Sequence, residues 1–100
     1  MNEEDKVIAG SEARYILEHK QFRDAFTAVR QSIISQMQDV KPRDTDMHSE
    51  LIRRLQTLDA VERALRKVIA TGDLAKAEIE RERTLTEHAR ERLNRVFSRN

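Results

Sequence analysis

Only three residues in this 100-residue chain strongly oppose an α-helix: two glycines, Gly10 and Gly72, and one proline, Pro42. Aromatic residues make up 4% of the chain, whereas charged residues make up 37%. That balance suits long helices with solvated faces and is poorly suited to a sheet, which is rich in aromatic and β-branched residues. The chain is therefore predicted to be all-α.

A strong apolar periodicity lies in the second fifth of the chain. Apolar residues recur there in steps of three or four, at Phe22, Phe26, Val29, Ile33, Met37 and Val40. This spacing predicts an amphipathic helix. The helix must end near Val40, because Pro42 lacks a backbone donor and disfavours helical geometry at Lys41. In the loop that follows, Asp44, Thr45 or Asp46 can cap the next helix.

The next helix carries a seam of large aliphatic residues. Its members are Leu51, Leu55, Leu58, Leu65 and Ile69, and Val61 and Val68 widen the seam. Glu62 occupies a position where a strict heptad would have an apolar residue. Either the seam rotates toward Val61, which we favour, or Glu62 is a partly buried acid that specifies pairing. Because the loop before this helix is short, the two helices are expected to form an antiparallel hairpin.

Gly72 is the second residue, after Pro42, at which a helix could end. The stretch "VIATGDL" can end a helix at Gly72 and begin another that Asp73 caps. A continuous helix through Gly72 costs only about 1 kcal/mol relative to alanine. We favour the stop, which predicts a helical hairpin domain over residues 1–72, including a short N-terminal helix that ends near His19, and an extended, charged C-terminal helix over residues 73–100.

This C-terminal helix has a thin apolar stripe and no assigned partner within the chain. We expect the stripe to contact another copy or another protein, through Ile79, Leu85, Ala89, Leu93 and Phe97. Oppositely charged residues stand at helical spacing along it, as in Glu78 with Arg81, Glu87 with Arg90 and Glu91 with Arg95. Each such pair adds a few tenths of a kcal/mol to a helix.

Catalytic and metal chemistry find little support in the composition. The chain has no cysteine and its three histidines, His19, His48 and His88, are far apart with no metal-ligand spacing around them. Two glycines cannot build a phosphate-binding loop, and no glycine-flanked turn exposes a serine nucleophile. We predict a protein that is not an enzyme and holds no cofactor or metal. No apolar run approaches the ~20 residues of a membrane span, so a cytoplasmic location is expected.

Nucleic-acid binding stays open as an alternative. The net charge is only +1, but the last eleven residues hold four arginines, Arg90, Arg92, Arg95 and Arg99, against one acid. These arginines are candidate phosphate contacts, although basic residues near a helix C-terminus also complement the helix dipole. A DNA-binding helix-turn-helix motif with its turn at Gly72 is a further alternative. Acidic residues neutralise the bases of its second helix, which disfavours it.

The pattern "FRDAFTAVRQSII", the loop "KPRDTD" and the segment "ELIRRLQTLDAVERALRKVIATGDLA" resemble small helical proteins from the structural and assembly genes of tailed bacteriophages and prophages. The similarity covers about residues 13 to 76 and rests on Phe22 and Phe26, the proline loop, the leucine seam and the "TGDLA" ending. It implies a non-enzymatic role in virion structure, assembly or genome packaging, in the host cytoplasm or in the virion.

We therefore expect a structural or assembly protein that self-associates through helices, with a homo-oligomer or other phage structural proteins as partners and no membrane. The core is expected to be built from Phe22, Phe26, Leu55, Leu58 and Leu65. Two alternatives remain: a DNA-binding accessory factor, such as a small packaging or regulatory subunit, and a helical adaptor or inhibitor of a host protein.

Overall fold

The computed structural model describes residues 1–98 and contains three helices with no strand in that range. Helix α1 spans Glu3–Glu18, α2 spans Lys20–Asp39 and α3 spans Thr45–Ser98. The all-α prediction is confirmed. The expected helix stops near His19 and Val40 are confirmed as well.

Local capping explains where the first helices begin and end. The backbone N–H of Asp5 donates to Oδ1 of Asn2 at 2.8 Å, and three acidic residues occupy the first turn of α1, where the helix dipole favours them. His19 then adopts an extended backbone conformation and separates α1 from α2 by one residue. Of the three residues predicted to cap α3, Asp44 accepts a hydrogen bond from the Met47 N–H at 3.1 Å.

The predicted stop at Gly72 is wrong, because α3 continues through it for 54 residues. Gly72 has no positive φ and is buried. A Cβ placed on Gly72 would lie 2.8 Å from the carbonyl oxygen of Lys6 and 3.0 Å from the Cα of Gly10. The two glycines of the chain therefore contact each other. Because neither has a side chain, the backbones of α1 and α3 touch there, and Gly72 does not turn the chain.

Small residues surround this crossing. Gly10 and Ala13 of α1 and Gly72 and Ala75 of α3 are all buried. At its edge, Nη2 of Arg14 lies 3.0 Å from both carboxylate oxygens of Asp73. The crossing holds α1 close to α3 with little side-chain volume between them.

Helix α2 contacts the first half of α3. Ile33 and Leu51 are buried there, and Arg30 forms an ion pair with Asp59. The expected core residues are instead half-buried, namely Phe22, Phe26, Leu55, Leu58 and Leu65. A pair of helices can cover only one side of each such residue, which accounts for their incomplete burial.

The molecule is elongated. Its radius of gyration is 23.8 Å and its extents are 87 × 25 × 19 Å. A compact domain of 100 residues would have a radius of gyration of about 13 Å. Most of the difference comes from α3, which at 1.5 Å per residue is about 80 Å long.

Candidate functional site

The last 19 described residues of α3, 80–98, form a segment that we call the arm. Every residue of the arm is exposed, whereas Ile79, immediately before it, is half-buried. Contacts with α1 bury Gly72 and Ala75, earlier in α3. The arm is thus a helix that is exposed to solvent all around its circumference.

The arm has an apolar stripe along one side. Leu85, Ala89, Leu93 and Phe97 follow one another in steps of four, and Val96 lies beside them. The large residues of the stripe are 56–71% exposed. The structure therefore places four of the five predicted interface residues together on the arm, with Ile79 at its base.

Ion pairs neutralise part of the charge on and next to the arm. Arg81 pairs with Glu78 at 2.7 Å, Arg83 with Glu80 at 2.8 Å and Arg95 with Glu91 at 3.9 Å. The hydrogen bond from Arg81 lowers the pKa of Glu78 and raises the pKa of Arg81. The predicted pair of Glu87 with Arg90 is not formed within 4 Å, whereas the other two predicted pairs are formed.

The predicted nucleic-acid contacts do not form one patch. Arg90 lies on one side of the apolar stripe, while Arg92 and Arg95, three residues apart, lie on the other. Arg99 lies outside the described residues. Because α3 does not turn at Gly72, the helix-turn-helix alternative does not apply to this chain.

A second exposed apolar surface lies on α1, on the side away from α3. Ile8 and Tyr15 are two turns apart on that side and are 57% and 69% exposed. Val7, next to Ile8 in the sequence, is half-buried and faces a different direction. The signal that separates the faces is the repeated Gly-x-x-Ala motif, "GSEA" in α1 and "GDLA" in α3, which marks the buried side of each helix.

An open groove of about 650 Å³ runs between α2 and α3. Val29, Ile33, Leu58 and Val61 line it with apolar side chains. Glu50, Arg53 and Arg54 also line the groove, and Glu50 pairs with both arginines, at 3.5 and 3.3 Å. The groove is shallow and holds no buried charged group, so it offers no enclosed reaction site.

Residues 1–98 contain no group of three or more metal-ligating side chains that could hold an ion. In the same range, no helix has the length and apolar character needed to cross a membrane. No protein-family model, curated protein or solved structure matches this chain.

Proposed function

We propose that this chain is a non-enzymatic assembly protein that self-associates through its helices, with the arm as the main contact. The observation that carries this proposal is the arm's apolar stripe, Leu85, Ala89, Leu93 and Phe97, which no part of residues 1–98 covers. Exposed apolar stripes of this kind mark protein-protein interaction sites.

The total surface supports the same proposal. The accessible area is 8289 Å², whereas a compact monomer of this mass would expose roughly 5,900 Å². The excess of roughly 2,400 Å² exceeds the area that a standard protein-protein interface buries, about 1,600 Å². Association would remove much of this excess and complete a thin core.

We further infer an antiparallel hairpin of α2 and the first half of α3, with α1 packed beside α3. Juxtaposed residues support an antiparallel α2 and α3, because the residue numbers rise along α2 as they fall along α3. Phe22 shares a pocket with Arg66, Arg30 pairs with Asp59, and Gln36 and Glu50 line the same groove. The contacts of Gly10 with Gly72 and of Arg14 with Asp73 place α1 beside α3. In this arrangement the predicted boundary between residues 72 and 73 lies inside one helix, and the arm continues the helix of the predicted hairpin domain.

The resemblance to phage structural and assembly proteins suggests the process in which the chain self-associates. A rigid helical body with a projecting arm suits a component of the virion or of head assembly, in the host cytoplasm or in the particle. A helical adaptor for a host protein would use the same stripe, and only the identity of the partner separates the two.

A DNA-binding accessory factor is the second candidate, because Arg90 and Arg92 have no acidic partner within 4 Å among the described residues. It predicts duplex binding that weakens steeply with salt and is lost when Arg90, Arg92, Arg95 and Arg99 are replaced. Absence of binding at low ionic strength would exclude it.

The self-association test is solution mass by multi-angle light scattering at tens of micromolar, on the full chain. The interface variant is Leu85→Glu with Leu93→Glu. The matched control is Thr84→Glu with Ser98→Glu, which adds the same charge on the opposite side of the same helix. We expect a discrete oligomer for the wild type and the control, and a monomer for the interface variant, because two carboxylates would have to be desolvated in the contact.

A monomeric wild type would contradict the proposal. An equal loss of mass in the interface variant and the control would also contradict the assignment of the contact to the stripe. Truncation at Thr71 is unsuitable for this test, since it removes Gly72 and Ala75, which pack against α1.

A further inference from the structure

We propose that the arm of one copy docks on the outer face of α1 of a second copy. The outer face consists of Ile8 and Tyr15 with the flanking acids Glu12 and Glu18. This inference rests on the proposed self-association and identifies the surface that receives the arm. Complementary charges flank the apolar residues of the two surfaces.

The donor surface is an apolar stripe with basic flanks. Arg90 and Arg92 lie on either side of the line through Leu85, Ala89 and Leu93. Within residues 1–98, neither arginine has an acidic group within 4 Å, unlike Arg81, Arg83 and Arg95. Their charge is therefore available to a partner. The acids Glu87 and Glu91 lie on the opposite side of the helix.

The receiving surface has the opposite charge pattern. Glu12 stands one turn from both Ile8 and Tyr15, and Glu18 stands one turn after Tyr15 on the other side of the stripe. Both acids are exposed, and in the described part of the chain neither has a basic group within 4 Å. The opposite side of α1, with Gly10 and Ala13, is already buried against α3.

The arm cannot reach the outer face of its own α1. The two segments would have to meet by a reversal of α3 between Gly72 and residue 98, and α3 is continuous there. The contact must therefore be made between two copies. Because donor and receiver are different surfaces, each copy can give one contact and receive another.

The other two surfaces that could receive the arm are less suitable. Pairing of two arms in register would bring Arg90 and Arg92 of both copies together, and like charges placed opposite one another weaken association. The groove between α2 and α3 carries Arg53 and Arg54, with Glu50 as the one acid lining it. The net positive charge of the groove repels the basic flanks of the arm, whereas the acidic outer face of α1 attracts them.

A charge-swap experiment on the full chain tests the proposal. The first variant carries Glu12→Lys with Glu18→Lys, the second carries Arg90→Glu with Arg92→Glu, and the third combines all four changes. Control variants reverse exposed charges elsewhere, Arg43→Glu with Arg63→Glu. Dissociation constants are measured by sedimentation equilibrium at low salt, and circular dichroism verifies that each variant keeps its helical content.

We expect each one-sided reversal to raise the dissociation constant by about tenfold or more, because it places like charges across the contact. The combined variant should return it to within about threefold of the wild-type value, since the charges are again complementary. The control should leave it unchanged.

A combined variant that associates no better than the second variant would overturn the proposal. So would a first variant that associates like the wild type, which would place the arm on another surface while leaving self-association intact. A wild type that stays monomeric at every concentration would overturn both this inference and the proposed function.

Discussion

Single residues decide how closely α1 and α3 approach each other. The backbones touch at Gly10 and Gly72, and a Cβ on either glycine would lie 3.0 Å from the Cα of the other. The group in the way is backbone, which cannot rotate aside as a side chain can. A methyl group at either position therefore has to push the helices apart.

We expect Gly72→Ala to lower the free energy of unfolding by about 1–3 kcal/mol, despite the gain in helix propensity, because the added methyl overpacks the crossing. The measurement is urea unfolding of the Leu85→Glu, Leu93→Glu protein, in which we expect association not to contribute. Thr71→Ala, at the exposed neighbouring position, is the control and should change stability little. Equal or greater stability of Gly72→Ala would contradict the close crossing.

Sequence reasoning identified Gly72 as special but assigned it the wrong role. A glycine can end a helix or allow a close approach, and the choice depends on what lies opposite it. The opposite residue is 62 positions away in the chain, at Gly10, so no local pattern reports it. The helix stops at His19 and Val40 were predictable because neighbouring residues cause them.

At the scale of elements, α3 is one helix with three parts that differ in what they contact. Its first half contacts α2, its middle crosses α1 and its last part forms the arm. Good helix formers after Gly72, from Leu74 to Glu78, and the packing of Gly72 against α1 outweigh the cost of about 1 kcal/mol that a mid-helix glycine carries. The apolar periodicity revealed the faces of α2 and α3, but burial of the leucines depends on how many helices surround them.

A continuous α3 predicts a long distance across Gly72. With spin labels on cysteines introduced at Ser49 and Thr84, the Cα atoms should lie about 52 Å apart, from 1.5 Å per residue. Pulsed electron-electron double resonance measures this distance on labelled chain diluted with unlabelled chain. The absence of native cysteine makes the labelling specific. A much shorter or bimodal distance would show that α3 breaks at Gly72.

At the scale of the whole molecule, the elongated shape and the large accessible surface both favour association. An 87 Å long body with few buried side chains exposes far more area than a compact monomer of its mass. The apolar stripe of the arm was predictable from sequence. The acidic outer face of α1 was not, because it is defined only once the opposite side of α1 is known to be buried.

The most direct test of the central claim is hydrogen exchange of the arm at several protein concentrations. An arm without tertiary contacts exchanges its backbone amides rapidly, and burial in an assembly slows that exchange. We expect the amides of residues 80–98 to become protected as concentration rises from below one micromolar to tens of micromolar, with no such gain in the Leu85→Glu, Leu93→Glu variant. Exchange that stays fast and independent of concentration would contradict association through the arm.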